Sequence, residues 1–351
     1  DVYKRQASAR PETGRGPAER HTLRPWWPAA RPRPDPRGVT MQFRWGRPDL
    51  AAYRARPSTP PASPTSPLTV SFLGVTTLLF DDGESAVMTD GFFTRPSPAR
   101  TLLTPLRSDP ARIDHALRTA GVDTLDAVAC GHSHYDHALD SAAVAQRTGA
   151  TLVGGESTAQ LGRGARLPPD RIATVAPGEA LTFGGFTLTF LESEHSHPDR
   201  IQGVIERAVA QPAPVRAYKC GETWSILIDH HGSGRSALVH SSAGFRPGML
   251  DGRRADVVYL AVGQLGHQPR EYIERYWAQT VTAVGAESVI LTHWDDFFRP
   301  LTKPLRALPY AVEDLDAAMR VLTACAERDG VHLELPALWR RTDPWATRPD
   351  K

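Results

Sequence analysis

Cysteine is scarce in this chain: only Cys130, Cys220 and Cys325 among 351 residues, far apart and in no CxxC pairing. An odd, unpaired set excludes a disulfide framework, so a reducing, cytoplasmic setting is expected. Long apolar runs are missing as well. The longest, "LTVSFLGVTTLLF" at 68–80, is too short, too Thr-rich and too β-branched to span a bilayer, and no transmembrane segment is expected. Charge of either sign is not in excess. Forty-one basic against 39 acidic residues leave +2, which gives no electrostatic reason to expect nucleic acid or an anionic membrane as partner. No GxGxxG or Walker segment indicates a nucleotide cofactor, "GESTAQ" and "HSSAG" are not GxSxG nucleophile elbows, and no internal repeat is visible.

What remains is ordinary globular material, 40% hydrophobic and 23% charged, enough for one large domain or two smaller ones. Residues 1–40 differ, with eight Arg, seven Pro and few aliphatic residues, a composition that buries too little surface to offset chain entropy. They are expected to be disordered. Asp1 is not Met and Met41 opens a more protein-like stretch, so residues 1–40 are read as non-native sequence. Their Arg-rich, acid-poor character also resembles a transit peptide, but no amphipathic helical pattern accompanies it. A Pro/Ser/Thr linker, "RPSTPPASPTSP" at 56–67, completes an N-terminal segment of residues 1–67. A catalytic domain is expected over 68–340 and a tail over 341–351.

From residue 68 the pattern is strand-rich. Residues 68–80 and 85–90 read as two strands joined by "DDG". "TLDAVAC" at 124–130 reads as a buried strand, and "ALDSAAVAQRTGA" after it as a helix ending at Gly. Further strands are expected at 151–154, 172–175, 180–192, 224–229, 236–240, 256–261 and 288–292, with helices at 269–284 and 312–328. Meander-like strands with helices inserted imply an α+β fold of two mixed sheets packed face to face with helices outside.

Between the expected strand at 124–130 and its helix lies "HSHYDH", residues 132–137. In an extended segment alternate residues share a face, so His132 and His134 aim at one point, while Asp136 and His137, at the turn into the helix, diverge. Two neighbouring metal positions are served by such a set. Imidazole with carboxylate suits zinc, and iron or manganese accept the same donors. Cys130, at the end of an apolar strand, reads as a packing residue.

The HxHxDH stretch resembles the signature of the metallo-β-lactamase fold superfamily, and the resemblance covers roughly residues 68–300. It is nearest to the ascorbate-6-phosphate lactonase-like and N-acylphosphatidylethanolamine phospholipase D-like hydrolases. It implies an αββα sandwich with the metal site at the edge between the sheets. Carried over by position, it implies His132, His134 and His195 for a first ion, with His197 as competitor to His195. Asp136, His137 and His293, from "SVILTHWDDF", are implied for a second ion. Asp90 in "VMTDGFF" matches a buried aspartate that supports the histidine loop.

One position departs from the family. Its bridging carboxylate stands where this chain has Ser242 in "ALVHSSAGF", and a hydroxyl is a poor ligand that brings no charge. Three outcomes stay open: one ion at His132, His134 and His195; a weak second ion at Asp136, His137 and His293; or compensation by Asp295, Asp296 or His240. "WDDFF" reads equally as a helix start, and His240 rather as a strand end.

The expected chemistry is hydrolysis of an ester, lactone, amide or phosphodiester bond by a hydroxide on Zn2+, one or two ions, with Fe or Mn as alternatives. Asp136 would orient the water or take its proton. Phe92, Phe93, Tyr135, Trp294, Phe297 and Phe298 are candidate walls of a site for a small, acyl-bearing or apolar substrate, or else core. Tyr218 and Lys219 are expected to border the cleft. The competing readings are a phosphodiesterase or nuclease of the same fold and a non-catalytic metal-binding sensor.

Overall fold

The structure, a computed structural model, describes residues 44–54 and 58–346, which belong to one compact unit beginning at Arg44. The expectation of disorder over 1–40 lies outside the described residues. The described residues form fourteen strands with helices between some of them: β1 Thr69–Phe72, β2 Leu78–Asp81, β3 Ala86–Thr89, β4 Ala127–Ala129, β5 Thr151–Gly154, β6 Ile172–Thr174, β7 Ala180–Phe183, β8 Phe186–Glu192, β9 Trp224–His230, β10 Arg235–His240, β11 Val257–Ala261, β12 Ser288–Thr292, β13 His332–Glu334 and β14 Arg341–Thr342.

They form two seven-stranded mixed sheets, ordered β14-β1-β2-β3-β4-β5-β6 and β13-β12-β11-β10-β9-β8-β7. Each sheet changes character once. β14 to β3 pair antiparallel and β3 to β6 parallel; β7 to β10 pair antiparallel and β10 to β13 parallel. The chain thus makes hairpins followed by crossovers twice over, a topological repeat that no sequence period announces. Among the parallel-paired strands β4, β11 and β12 are buried at every residue, as strands covered on both faces require. The sheets meet face to face, with Phe80 of β2 edge-on to Tyr259 of β11 at 5.6 Å between centroids. This is the α+β sandwich of two mixed sheets flanked by helices.

Helices lie where capping residues start and stop them. Asp109 accepts from Ala111 N and Arg112 N to open Pro110–Ala120, and Gly121 closes it in the left-handed conformation. Asp314 and Gly330 bound Leu315–Asp329 in the same way. The expected helix at 269–284 is Arg270–Thr280 followed by a 3-10 turn, Thr282–Val284. Among the described residues no helix is long and apolar enough to cross a membrane.

Two expected strands are each two. Residues 180–192 fold back at Gly184–Gly185 into the β7–β8 hairpin. Residues 68–80 break at "LGVTT": Leu73 N donates to Thr77 O and Thr77 N to Gly74 O, with Gly74 at φ 96° and Val75 at φ 53°. The apolar run hid this turn, because valine is the residue least expected at positive φ.

The expected boundaries at 67 and 340 fall inside packed structure. Arg44 donates to Tyr310 Oη and Asp316 Oδ2 at 2.9 and 2.8 Å. Leu50 is buried in the core, Thr59 N donates to Glu334 Oε2, and Pro61 bridges Thr342 of β14. Polar composition marked these stretches as linker and tail, but long-range partners that composition does not show hold them.

Truncating Phe80 to Ala is expected to cost about 3–5 kcal/mol in urea unfolding. Leu103→Ala, at a residue 81% exposed, should fall within about 0.5 kcal/mol of the parent.

Candidate metal centre

Strand β4 ends at Ala129, and the chain passes through a loop, bent at Gly131 and His134, before the short helix Tyr135–Ala138. Gly131 N donates to Asp90 Oδ1 at 2.9 Å, which ties the start of this loop to the end of β3. Ser241 packs so closely over Gly131 that a Cβ there would meet its Oγ at 2.2 Å. The tie and the close approach fix this segment, and the turn into the helix separates Asp136 and His137 from His132 and His134.

The rings meet partners from the other sheet. One group comprises His132, His134 and His195 and a second Asp136, His137 and His293, the ligand atoms within each lying no more than 4.8 Å apart. The groups touch, the His132 and His137 ring centroids being 3.8 Å apart. His195 follows β8, and His293 follows β12 in the left-handed region at φ 57°. Gly263 permits that placement, since a Cβ on it would come within 2.7 Å of the His293 ring.

Hydrogen bonds to obligate acceptors assign the ring tautomers. His195 Nδ1 lies 2.8 Å from Ser196 O and therefore donates to it. His134 Nε2 faces only acceptors, Ile201 O at 3.3 Å and Asp199 Oδ1 at 3.4 Å. The remaining nitrogens, His195 Nε2 and His134 Nδ1, then carry lone pairs and confront each other at 3.2 Å. Two lone pairs at that distance repel unless a cation lies between them. Metal–nitrogen bonds of about 2.0–2.1 Å at a tetrahedral angle separate two ligand nitrogens by about 3.3 Å. His132, 1% exposed, has no hydrogen-bond partner at either ring nitrogen. The set fits a divalent cation.

The second group is supported similarly. His137 Nδ1 donates to Asp90 Oδ2 at 2.8 Å, and Thr76 Oγ1 bonds the same carboxylate oxygen. That leaves His137 Nε2 as a buried lone pair without a partner. Asp136 Oδ2 lies 3.5 Å from His293 Nε2 and 3.9 Å from His137 Nε2. Burial opposes the Asp136 charge, but the rings of His137 and His293 outweigh it and hold its carboxyl well below the usual range. Burial lowers the His132 pKa and brings His195 down to about 4, so both rings are neutral near pH 7, the form that binds metals.

Other sequence-derived candidates fall elsewhere. His197 is exposed, while His195 faces His134. Ser242 Oγ accepts from Ser196 N at 2.9 Å, so it braces the His195 loop. His240 ends β10 with both nitrogens engaged, by Ser225 Oγ at 2.6 Å and Gly244 O at 2.7 Å. Asp295 pairs with Arg95 at 2.7 Å, and Asp296 with Arg47 and Arg306, each at 3.0 Å; no helix starts at "WDDFF". Phe92, Phe93, Tyr135 and Trp294 are buried members of the hydrophobic core. Phe297 sits edge-on to the His293 ring at 5.8 Å and packs on Phe298 at 4.5 Å. Tyr218 is fully buried rather than on a cleft wall, and Lys219 contributes its carbonyl, which accepts from Ser133 Oγ.

Asp199 and Thr76 lie outside the sequence-derived set. Burial works against the Asp199 charge, but His134 and His195 bring its pKa down to about 2. It stands four positions after His195 in "HSHPDR", an acidic residue near a candidate ligand being its only signal.

No protein-family model and no curated protein matches the chain. Solved structures do match, and they include metal-dependent hydrolases, a metallo-β-lactamase fold protein and a diiron β-hydroxylase. In particular, the metallo hydrolase Igni18 of Ignicoccus hospitalis is 11% identical over 78% of this chain and 97% of its own, with a TM-score of 0.47. The metallo-β-lactamase fold protein YhfI of Bacillus subtilis is 17% identical over 78% and 98%, at 0.45. An isothiocyanate hydrolase from Delia radicum gut bacteria is 15% identical over 78% and 98%, at 0.48. Similarity at this level assigns no activity.

Asp199→Asn is expected to weaken binding of the first cation about 10–100-fold, because His134 loses its anionic acceptor. His197→Ala should leave that affinity unchanged. Competition with a chromophoric chelator measures both.

Proposed function

We propose that the chain is a metal-dependent hydrolase of the metallo-β-lactamase fold superfamily. The observation that carries this is the face-to-face approach of two imidazole lone pairs, 3.2 Å apart, beside a buried His132 without partners. His132, His134 and His195 would hold a first cation and Asp136, His137 and His293 a second. When bound, a divalent cation polarises the carbonyl or phosphoryl oxygen under attack and supplies a nucleophilic water at neutral pH.

The chain's own residues do the rest. Asp136, 3.5 Å from His293 Nε2, would orient the attacking water as a hydrogen-bond acceptor. Asp90 and Asp199 hold His137 and His134 in the tautomers that present lone pairs. No side-chain nucleophile is needed: burial pushes the Cys220 thiol up to about 12 and raises the Cys130 thiol still further, so both stay protonated. Three free, buried cysteines suit a reducing cytoplasm. Phe297 and Phe298 beside His293 favour a substrate with an acyl or apolar part, and the lactonase-like and phospholipase-like branches supply the first substrates to test.

With the Ser242 hydroxyl committed to Ser196 N and no carboxylate at that position, a second cation would rest on Asp136, His137 and His293 alone. Zinc is the first ion to test, then iron and manganese.

Purified chain exposed to each ion should retain one or two equivalents and cleave a member of a panel of chromogenic esters, lactones and bis(p-nitrophenyl) phosphate. His134→Ala should lose both metal and turnover. Full activity in that variant would sink the proposal, and metal retention without turnover on any substrate would favour the sensor reading.

A further inference from the structure

The turn that splits residues 68–80 lies against both ligands of the second group that Asp136 approaches. Val75 O accepts from His293 N at 2.7 Å, and Thr76 Oγ1 lies 2.9 Å from His137 Nδ1. Val75 N donates to Asp295 Oδ1 at 2.9 Å, two residues beyond His293. Over the turn runs the Arg95 side chain, so close to Gly74 that a Cβ there would sit 2.0 Å from its Nη2. Its guanidinium meets Asp295 Oδ2 at 2.7 Å, both side chains fully buried, and Nη1 reaches the carbonyls of Asp296 and Arg299 at 3.4 Å. Arg95 itself sits at φ 44° and its carbonyl accepts from Arg112 Nη1 at 3.1 Å, so its backbone is held from a third side.

A wholly buried ion pair is a poor source of net stability, because desolvation offsets most of the Coulomb gain. Its better attested use is to specify one arrangement of the groups around it. Here those groups are three loops, after β1, β3 and β12, and the third carries His293 in a backbone conformation that an L-residue seldom takes. Neither Arg95 nor Asp295 belongs to the ligand groups. We propose that Arg95 is a positioning residue for the second cation: through Asp295 it clamps the His293 loop onto the Gly74–Thr76 turn, and so sets the spacing of His293 from His137 and Asp136. The first group, on the loops after β4 and β8, does not depend on this clamp. This inference rests on the metal-centre reading above.

The test measures stepwise Zn2+ affinities of the full chain by competition titration, in the parent, Arg95→Lys, Arg95→Met, and the double variant Arg95→Met with Asp295→Asn. The double variant removes both buried charges while Asn keeps an acceptor for Val75 N, so it folds where a single change leaves an unpaired charge. In the double variant the second binding step is expected to weaken about 10–100-fold while the first stays as in the parent. Arg95→Lys, which keeps the charge, should restore most of the second step. Two unchanged steps in a folded double variant overturn the proposal, as does parallel loss of both steps, which marks a general structural role. A parent with a single step overturns it too, since no second ion is there to position, while leaving the one-ion centre intact. A parent with no step overturns the metal-centre reading itself.

Discussion

Neutral imidazoles buried side by side are held so that their lone pairs converge instead of bonding to one another, and the site depends on that constraint. A histidine ring has two nitrogens, and an acceptor at one dictates a lone pair at the other. Here the acceptors are Ser196 O behind His195, Asp199 and Ile201 O behind His134, and Asp90 behind His137. None comes from the HxHxDH stretch itself. Those of His134 and His137 belong to loops that reach the ring from elsewhere, while Ser196 adjoins His195, so the candidate donor set is assembled by what stands behind the rings as much as by the rings.

The architecture makes that assembly possible. Both sheets pass from hairpins to parallel crossovers, and the loops leaving β4, β8 and β12 deliver the rings to one place. Largely buried strands end at those loops, which places polar side chains at the rim of the core, where desolvation lowers the pKa of His132 and His195. The turn between β1 and β2 adds a second constraint. It presents the Val75 carbonyl and the Thr76 hydroxyl to two ligand-bearing loops, with Val75 at a positive φ that its surroundings must hold.

Much of the fold was legible in the chain, for reasons that differ from one element to another. "TLDAVAC" and "SVILT" are strands because fully covered strands are short apolar runs, and the Gly-terminated helices announce themselves through their caps. The turn within 68–80 was not legible, since an apolar run shows no period where it turns back on itself, whereas Gly184–Gly185 within 180–192 was a hairpin signal that the strand pattern around it overrode. Residues 44–54 and 341–342 looked like linker and tail because their anchors, Asp316 and Val70, lie far along the chain. The HxHxDH stretch located the site, but Asp295 and His240 looked like spare ligands only while their buried partners, Arg95 and Ser225, were out of view.

By itself the sequence determined the candidate donor types and the strand-to-helix junction that bears four of them, because those follow from residues adjacent along the chain. Tertiary structure alone decided that His195 rather than His197 meets His134, that Ser242 turns to Ser196 N, and that Asp199 stands behind the ring. Those outcomes depend on distances between segments remote in sequence, and only the packing of one sheet on the other sets such distances.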